Sequence, residues 1–348
     1  MRKLELANRI ITQKDCFVIA EVGSNHMGDP DLCEKMIIKA AQCGVDAVKL
    51  QKRDKSMLTE TERARPYENE NSFGKTYGEH RDALDWFGMK EFKRFKAIAD
   101  KYGVLLFATP FTVKDAMFLK SLDMSLYKIA SCDVTNLPLI RAVATFGKPM
   151  IISTGGATLE DIDEIVDALE PINRNYALLH CVSTYPNMDE NLNLMAIVTL
   201  RTRYGKPLIG FSSHHSGIDP LKYARLLGAS IFEAHFTLNR SWKGTDNAFS
   251  LEPKGLMQAV EDIKRVDKML GNGQKTVTEA EKSGFIRKMG KSLYLKQPLP
   301  AGWKIKQGDL CVNSPGGGFK PHEVDKVVGK VLINDTSTGV CLEEGMIQ

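Results

Sequence analysis

Two apolar, strand-like segments finish in histidine: "PLIGFSSHH" (207–215) reaches His214, and "SIFEAHFTLNR" (230–240) reaches His235. Neutral imidazoles suit divalent metals, and two protein ligands would leave coordination positions open for substrate oxygen and water. A satisfied core or loop histidine is the plain alternative, and it is the reading kept for His180 and His215. Lys49 and Lys128 each interrupt an apolar run. An unpaired buried ammonium is costly, so each needs a protein carboxylate, a ligand anion or a catalytic duty. Hydroxyls at Ser131, Ser153, Thr154, Ser183 and Ser212 could donate hydrogen bonds to the same anion. Glu21, Asp133 and Asp246 could act as acids or bases, or accept from sugar hydroxyls; a solvated surface role is the bland reading for each.

These residues share a position along their segments. Eight short apolar runs read as strands: 17–23, 46–51, 105–111, 126–131, 149–155, 176–183, 207–213 and 230–236. Each is nearly continuous rather than alternating, as a parallel strand covered on both faces should be. Amphipathic stretches such as "DPDLCEKMIIKAAQCG" and "KEFKRFKAIADKYG" lie between them and read as helices stopped by glycine. The pattern predicts a (β/α)8 barrel over residues 1–272, with a doubly wound sheet as the structural rival. Glu21 and Asn25, Lys49 and Gln51, Thr109, Lys128, Ser131 and Asp133, Ser153, Ser183 and Tyr185, Ser212 and His214, and His235 then fall at the C-terminal strand ends. In a barrel those ends form one catalytic mouth. Residues 273–289 read as a polar linker, and 290–348 as a small β-rich domain punctuated by Pro and Gly.

Composition narrows the classes. The 348 residues carry 47 basic and 43 acidic side chains, a net charge of +4, without a basic run that would suggest nucleic acid. No apolar stretch predicts a membrane span or a signal peptide. Seven scattered cysteines without a CxxC pair fit reduced thiols, and a cytoplasmic location is expected. The residues alone support a barrel enzyme acting on a small phosphorylated anion with metal help; they do not select a reaction.

The segments "IAEVGSNHMGD", "VKLQK", "YKIASCDVTNLPLI", "HCVSTYP", "GFSSHHSG" and "EAHFTLNRSWKGTDNAFSLEP" resemble the sialic acid (N-acylneuraminate) synthase family over almost the whole chain. The tail "LPAGWKIKQGDLCVNSPGGGFKPHEVDKVVGK" resembles that family's antifreeze-like (SAF) domain, a β-clip. The resemblance implies condensation of phosphoenolpyruvate with an N-acylmannosamine-type aldose, or its 6-phosphate, with C–O cleavage and release of phosphate. It implies catalytic roles for Glu21, Asn25, Lys49 and Lys128. Phosphoenolpyruvate would lie on Lys49, Thr109, Lys128, Ser131, Ser153, Ser183 and Ser212. Gln51, Asp133, Tyr185 and Asp246 would face the sugar, and His214 and His235 would hold Mn²⁺, or alternatively Mg²⁺ or Co²⁺. A domain-swapped homodimer is implied by the same likeness.

Three features bear on the acceptor. Asn313 and Ser314 stand where the family often has an arginine, and Asn247 replaces a usual histidine in "GTDNA". The segment "FGKTYGEHR" (73–81) is similar to one in synthases that use a 6-phosphorylated mannosamine; Lys75, His80 and Arg81 could bind such a phosphate, or form an ordinary surface loop. Two rivals remain: a Schiff-base pyruvate lyase built on Lys128, and a non-catalytic sugar-binding protein.

Overall fold

All eight apolar runs become strands, and the strands close on one another. The computed structural model describes residues 2–348. A short antiparallel hairpin, Lys3–Glu5 (β1) and Ile10–Thr12 (β2), comes first. The parallel strands follow as Phe17–Gly23 (β3), Ala47–Lys52 (β4), Leu105–Pro110 (β5), Tyr127–Ile129 (β6), Met150–Ser153 (β7), Tyr176–Cys181 (β8), Leu208–Ser213 (β9) and Ile231–His235 (β10). Each pairs with its sequence neighbours, and β10 pairs with both β9 and β3, which closes the barrel.

Alternation along each strand divides the side chains between two cores. Outward residues such as Val18, Val48, Ile129, Ile152, Phe211 and Phe232 are buried beneath the helices. Inward residues such as Phe17, Ile19, Ala47, Phe107, Ile151 and Ile231 fill the lower barrel as its own cluster. Leu4 and Ile11 of the hairpin are fully buried and belong to that inner cluster. The hairpin, which the charged N-terminus had concealed, therefore seals the lower end.

The helices carry local start signals. The helix Pro30–Gln42 opens with the Asp29 side chain accepting from the backbone of Asp31 and Leu32, with Pro at its start. The helix Met89–Lys101 buries Phe92, Phe95 and Ala99 on one face.

Residues Gly271–Gln348 form a second compact unit. The expected linker is only partly irregular. Residues 279–289 are helical, with a π-helical stretch at Lys282–Ile286, and a capping box between Thr278 and Glu281 opens them. Strands Ser292–Leu295 (β11) and Leu310–Asn313 (β12) pair antiparallel. They pack with Leu299, Ile305, Val327, Leu332 and Leu342 in a separate small core. Most of this unit is turns and short helical pieces rather than strand. Among the described residues, no helix is long and apolar enough to cross a membrane.

Candidate active site at the barrel mouth

The inward positions turn polar where each strand approaches its C-terminal end. Above Phe17 and Ile19 on β3 comes Glu21; above Ala47 on β4 come Lys49 and Gln51; above Ile231 on β10 come Glu233 and His235. Register makes them neighbours, with Glu21 opposite both Lys49 and His235. They line a mouth cavity of ≈780 Å³ together with Thr109, Lys128, Ser131, Ser153, Ser183, Tyr185, Ser212, His214 and Asp246.

Two lysines and two glutamates form its buried floor. Lys49 Nζ lies 2.7 Å from Glu21 and 3.5 Å from Glu233, and donates to Thr109 Oγ1 at 3.2 Å. Lys128 Nζ donates to Ser153 Oγ at 2.6 Å and to the Ile129 carbonyl at 3.0 Å, and stands 4.0 Å from Glu233. Gln51 donates to Glu21 at 2.6 Å, and Ser212 to Glu233 at 3.3 Å. Equal numbers of cations and anions offset the cost of burying charge. A β-bulge at Glu21 and Gly23 interrupts the β3–β4 register. Gly23 has φ +52°, and a side chain there would press on Glu21 and Gln51.

The two glutamates are pushed apart. Burial raises the Glu21 carboxyl, and the Glu233 charge adds to this against the pull of Lys49. Burial also opposes ionisation of Glu233, but Lys128 and Lys49 outweigh it and hold that carboxyl down. Such a split favours Glu21 over Glu233 as the carboxyl that would exchange a proton. Burial lowers Lys128, whereas for Lys49 burial is overcome by Glu21 and Glu233, which keep it protonated.

The histidines meet at the rim. The rings of His214 and His235 have centroids 5.4 Å apart, and Tyr185 lies 4.1 Å from His214. His214 Nδ1 is 2.9 Å from the Val182 carbonyl, which holds a proton on that nitrogen; burial opposes a charge on the ring, but Cys181 and this carbonyl outweigh it and raise its pKa. Burial lowers His235 to about 4, so it is neutral at pH 7, and its buried Nδ1 has no hydrogen-bond partner; Asp246 is 3.7 Å away. His235 is a ready lone-pair donor for a divalent ion, and His214 would have to give up its second ring proton to join it. Among the described residues no three His, Cys, Asp or Glu side chains form a ready metal cage, so the protein would supply only part of a coordination shell.

Gly155 shapes the hydroxyl pocket. A Cβ there would collide with Ser183 Oγ and lie 2.7 Å from Ser131 Oγ, while the Gly155 N–H donates to Ser131 at 3.1 Å. Only glycine leaves this gap open.

Several expected residues lie elsewhere. Asn25 donates to the Phe236 carbonyl and to Ser250 Oγ, both at 2.9 Å, and is buried outside the cavity lining. It braces the loops after β3 and β10. Asp133 turns away to accept from Asn136 at 2.8 Å. Asn247 is spent on Thr237 and the Lys243 carbonyl, a loop brace rather than a cavity residue. His80 is buried among Tyr67, Phe73 and Tyr77, and Lys75 is exposed; neither lines a cavity with Arg81. Thr154 donates to the Leu179 carbonyl. His180 and His215 are structural as expected: His180 Nε2 meets the Leu192 carbonyl at 2.8 Å, and His215 meets Asp189 at 3.0 Å. Glu233, Gly155, Cys181 and Arg53 line or shape the mouth without having been singled out. For Glu233 a signal existed, since it interrupts an apolar strand two residues before His235.

A protein-family model described as the NeuB family matches residues 36–275. The chain belongs to the NeuB family. The N-acetylneuraminate-9-phosphate synthases of Mus musculus and Homo sapiens are each 33% identical, over 95% of this chain and 92% and 93% of theirs. The N,N'-diacetyllegionaminic acid synthase of Legionella pneumophila is 32% identical over 94% of this chain and 93% of its own. The crystal structure of the N-acetylneuraminic acid (sialic acid) synthetase from Leptospira borgpetersenii, in complex with citrate, is 35% identical with a TM-score of 0.71, covering 82% of this chain and 95% of that one. This NeuB-family chain is an enzyme of the sialic acid synthase type.

Proposed function

We propose that the enzyme condenses phosphoenolpyruvate with an N-acylmannosamine-type aldose and water, giving a nonulosonic acid and inorganic phosphate. The observation that carries this reading is the charge-balanced Lys49–Glu21–Glu233–Lys128 floor, ringed by hydroxyls, directly beneath the histidine pair. In this reading Lys49 and Lys128 hold the phosphate and carboxylate of the enol, and Thr109, Ser131, Ser153, Ser183 and Ser212 donate to their oxygens. Gln51, Tyr185 and Asp246 orient the acceptor, with its aldehyde above the enol. The enol carbon attacks the aldehyde carbon, water adds to C2, and phosphate leaves with the electrons of its C2–O bond and the proton of the new C2 hydroxyl, whose oxygen becomes the ketone. Glu21 takes the proton that water loses and returns it to the alkoxide left by the aldehyde. A divalent ion held by His214 and His235, Mn²⁺ or alternatively Mg²⁺ or Co²⁺, would supply Lewis acidity toward the aldehyde.

We further assign Gly271–Gln348, which has its own core, to the family's antifreeze-like domain. A homodimer is supported by the apolar rim after β8, where Tyr185, Met188 and Met195 are 54%, 58% and 60% exposed. All seven cysteines are free thiols, which supports a cytoplasmic setting.

A phosphate-release assay with N-acetylmannosamine, with and without Mn²⁺, tests the reaction. Phosphoenolpyruvate carrying heavy oxygen in its C2–O bridge should yield phosphate that retains the label. No phosphate release with any N-acylhexosamine or hexosamine phosphate would refute it.

A further inference from the structure

Glu233 stands on β10, between Ser212 of β9 and Ile19 of β3 in the register, and its side chain enters the barrel. In the closed order of strands β6 lies four places from β10 in either direction, so Lys128 rises from the opposite wall. The Glu233 carboxylate nevertheless comes within 4.0 Å of Lys128 Nζ and within 3.5 Å of Lys49 Nζ on β4, and it accepts from Ser212 Oγ at 3.3 Å. One buried carboxylate therefore occupies the middle of the barrel and faces cations from two walls.

These contacts are long for ion pairs. Lys49 lies closer to Glu21, at 2.7 Å, and Glu233 Oε2 has no hydrogen-bond partner. A buried charge stretched among distant partners recovers little of its desolvation cost, so fold stability does not account for an acid at this position. What its three contacts share is the ligand. Lys49, Lys128 and Ser212 are the groups on which the reading above rests the enol phosphate. Among the described residues, Glu233 is also the one acid within 4.0 Å of Lys128 Nζ, whose hydrogen bonds go to Ser153 and the Ile129 carbonyl.

An anion fixed among those groups has two opposed effects. Its charge repels the phosphate and carboxylate of an incoming enol phosphate, which weakens ground-state binding. Its place between the ammoniums anchors both, so that neither swings to a single end of the ligand. Cations held in this way favour the transition state.

We propose that Glu233 is a positioning residue, which fixes Lys49 and Lys128 for the enol phosphate and so raises turnover while lowering affinity. This rests on the reading above and adds to it a residue that acts through the two lysines.

Binding and turnover separate these effects. Phosphoenolpyruvate alone is titrated calorimetrically into full-length wild type, E233Q and E233D at saturating Mn²⁺, and phosphate release is then followed with N-acetylmannosamine. E233Q keeps an oxygen for Ser212 but not the charge. It should bind phosphoenolpyruvate at least about threefold tighter while kcat falls at least about tenfold. E233D keeps the charge on a side chain shorter by one carbon, about 1.5 Å, and its kcat should fall without that tightening. A mere brace for the fold would instead lose phosphoenolpyruvate affinity and thermal stability together in E233Q, and that result overturns the proposal. So does wild-type kcat in E233Q. If E233Q does not fold, wild-type kcat in E233D overturns it, and a tenfold loss at unchanged affinity upholds it. A wild type that binds no phosphoenolpyruvate removes the reading above and the proposal with it. A wild type that binds and turns over, with E233Q unaltered, removes the proposal alone.

Discussion

His214 and His235 sit at the ends of neighbouring strands with their rings 5.4 Å apart, and only His214 has its second nitrogen held by a backbone carbonyl. His235 is therefore the freer partner, and His235→Ala should weaken Mn²⁺ binding at least about tenfold while the melting temperature stays near that of the wild type. Titration of free Mn²⁺ by its paramagnetic resonance signal reads this directly. Unchanged Mn²⁺ affinity would remove His235 from the ligand set.

Gly155→Ala tests the hydroxyl pocket. The new methyl would take the space between Ser131 and Ser183, so phosphoenolpyruvate affinity should fall at least about tenfold, with a much smaller effect on the acceptor's KM. Wild-type affinity in a folded G155A protein would place the enol phosphate elsewhere.

Lys128 separates a condensing synthase from a pyruvate lyase. Its ammonium is tied to Ser153 and the Ile129 carbonyl in a donor role, although burial lowers its pKa in the direction a Schiff-base lysine needs. Borohydride with pyruvate should leave no mass adduct on Lys128, and EDTA should abolish turnover. A trapped adduct with EDTA-insensitive activity would reverse the assignment.

His26 gives a pH prediction away from the floor. It is buried against Phe87, accepts from the Gly28 N–H, and burial, aided by Arg81, lowers it from 6.5 to about 3. Between those values the unfolded chain takes up a proton that the folded chain refuses. Stability is thus intact above pH 6.5 and falls as the pH drops toward 3, by on the order of 3 kcal/mol at pH 4.5 from this group alone. Denaturant melts of wild type and His26→Asn at pH 7.5 and 4.5 should show a shallower acid loss in the variant. Identical slopes would mean that His26 is protonated in the native state.

The strands were legible because both faces of each are covered, which writes them as continuous apolar runs. Lys49 and Lys128 stood out because an ammonium inside such a run demands a partner, whether a protein carboxylate or a ligand anion. Glu233 carried the same signal, masked by the histidine two residues on. Asn25 and Asp133 show the limit: their positions along the chain were right for the mouth, but local donors and acceptors turned their side chains to bracing. Arg53 lies past the end of β4, where no periodicity tells which way a side chain points. The β1–β2 hairpin has strands of three residues each, too short to separate from a charged leader by pattern.

The packed inner core makes the barrel a cup rather than a pipe, and the hairpin covers its base. With Leu4 and Ile11 plugging the staves from below, the described residues leave traffic a single doorway. In the proposed reading, a molecule resting on Lys49 and Lys128 would have to be in place before another is laid over it at Gln51 and Tyr185, and would be trapped until the upper one departs. Compulsory order of addition, enol phosphate before sugar, would follow from the filled lower barrel, which the ten residues Lys3–Thr12 cap at the end opposite the chemistry.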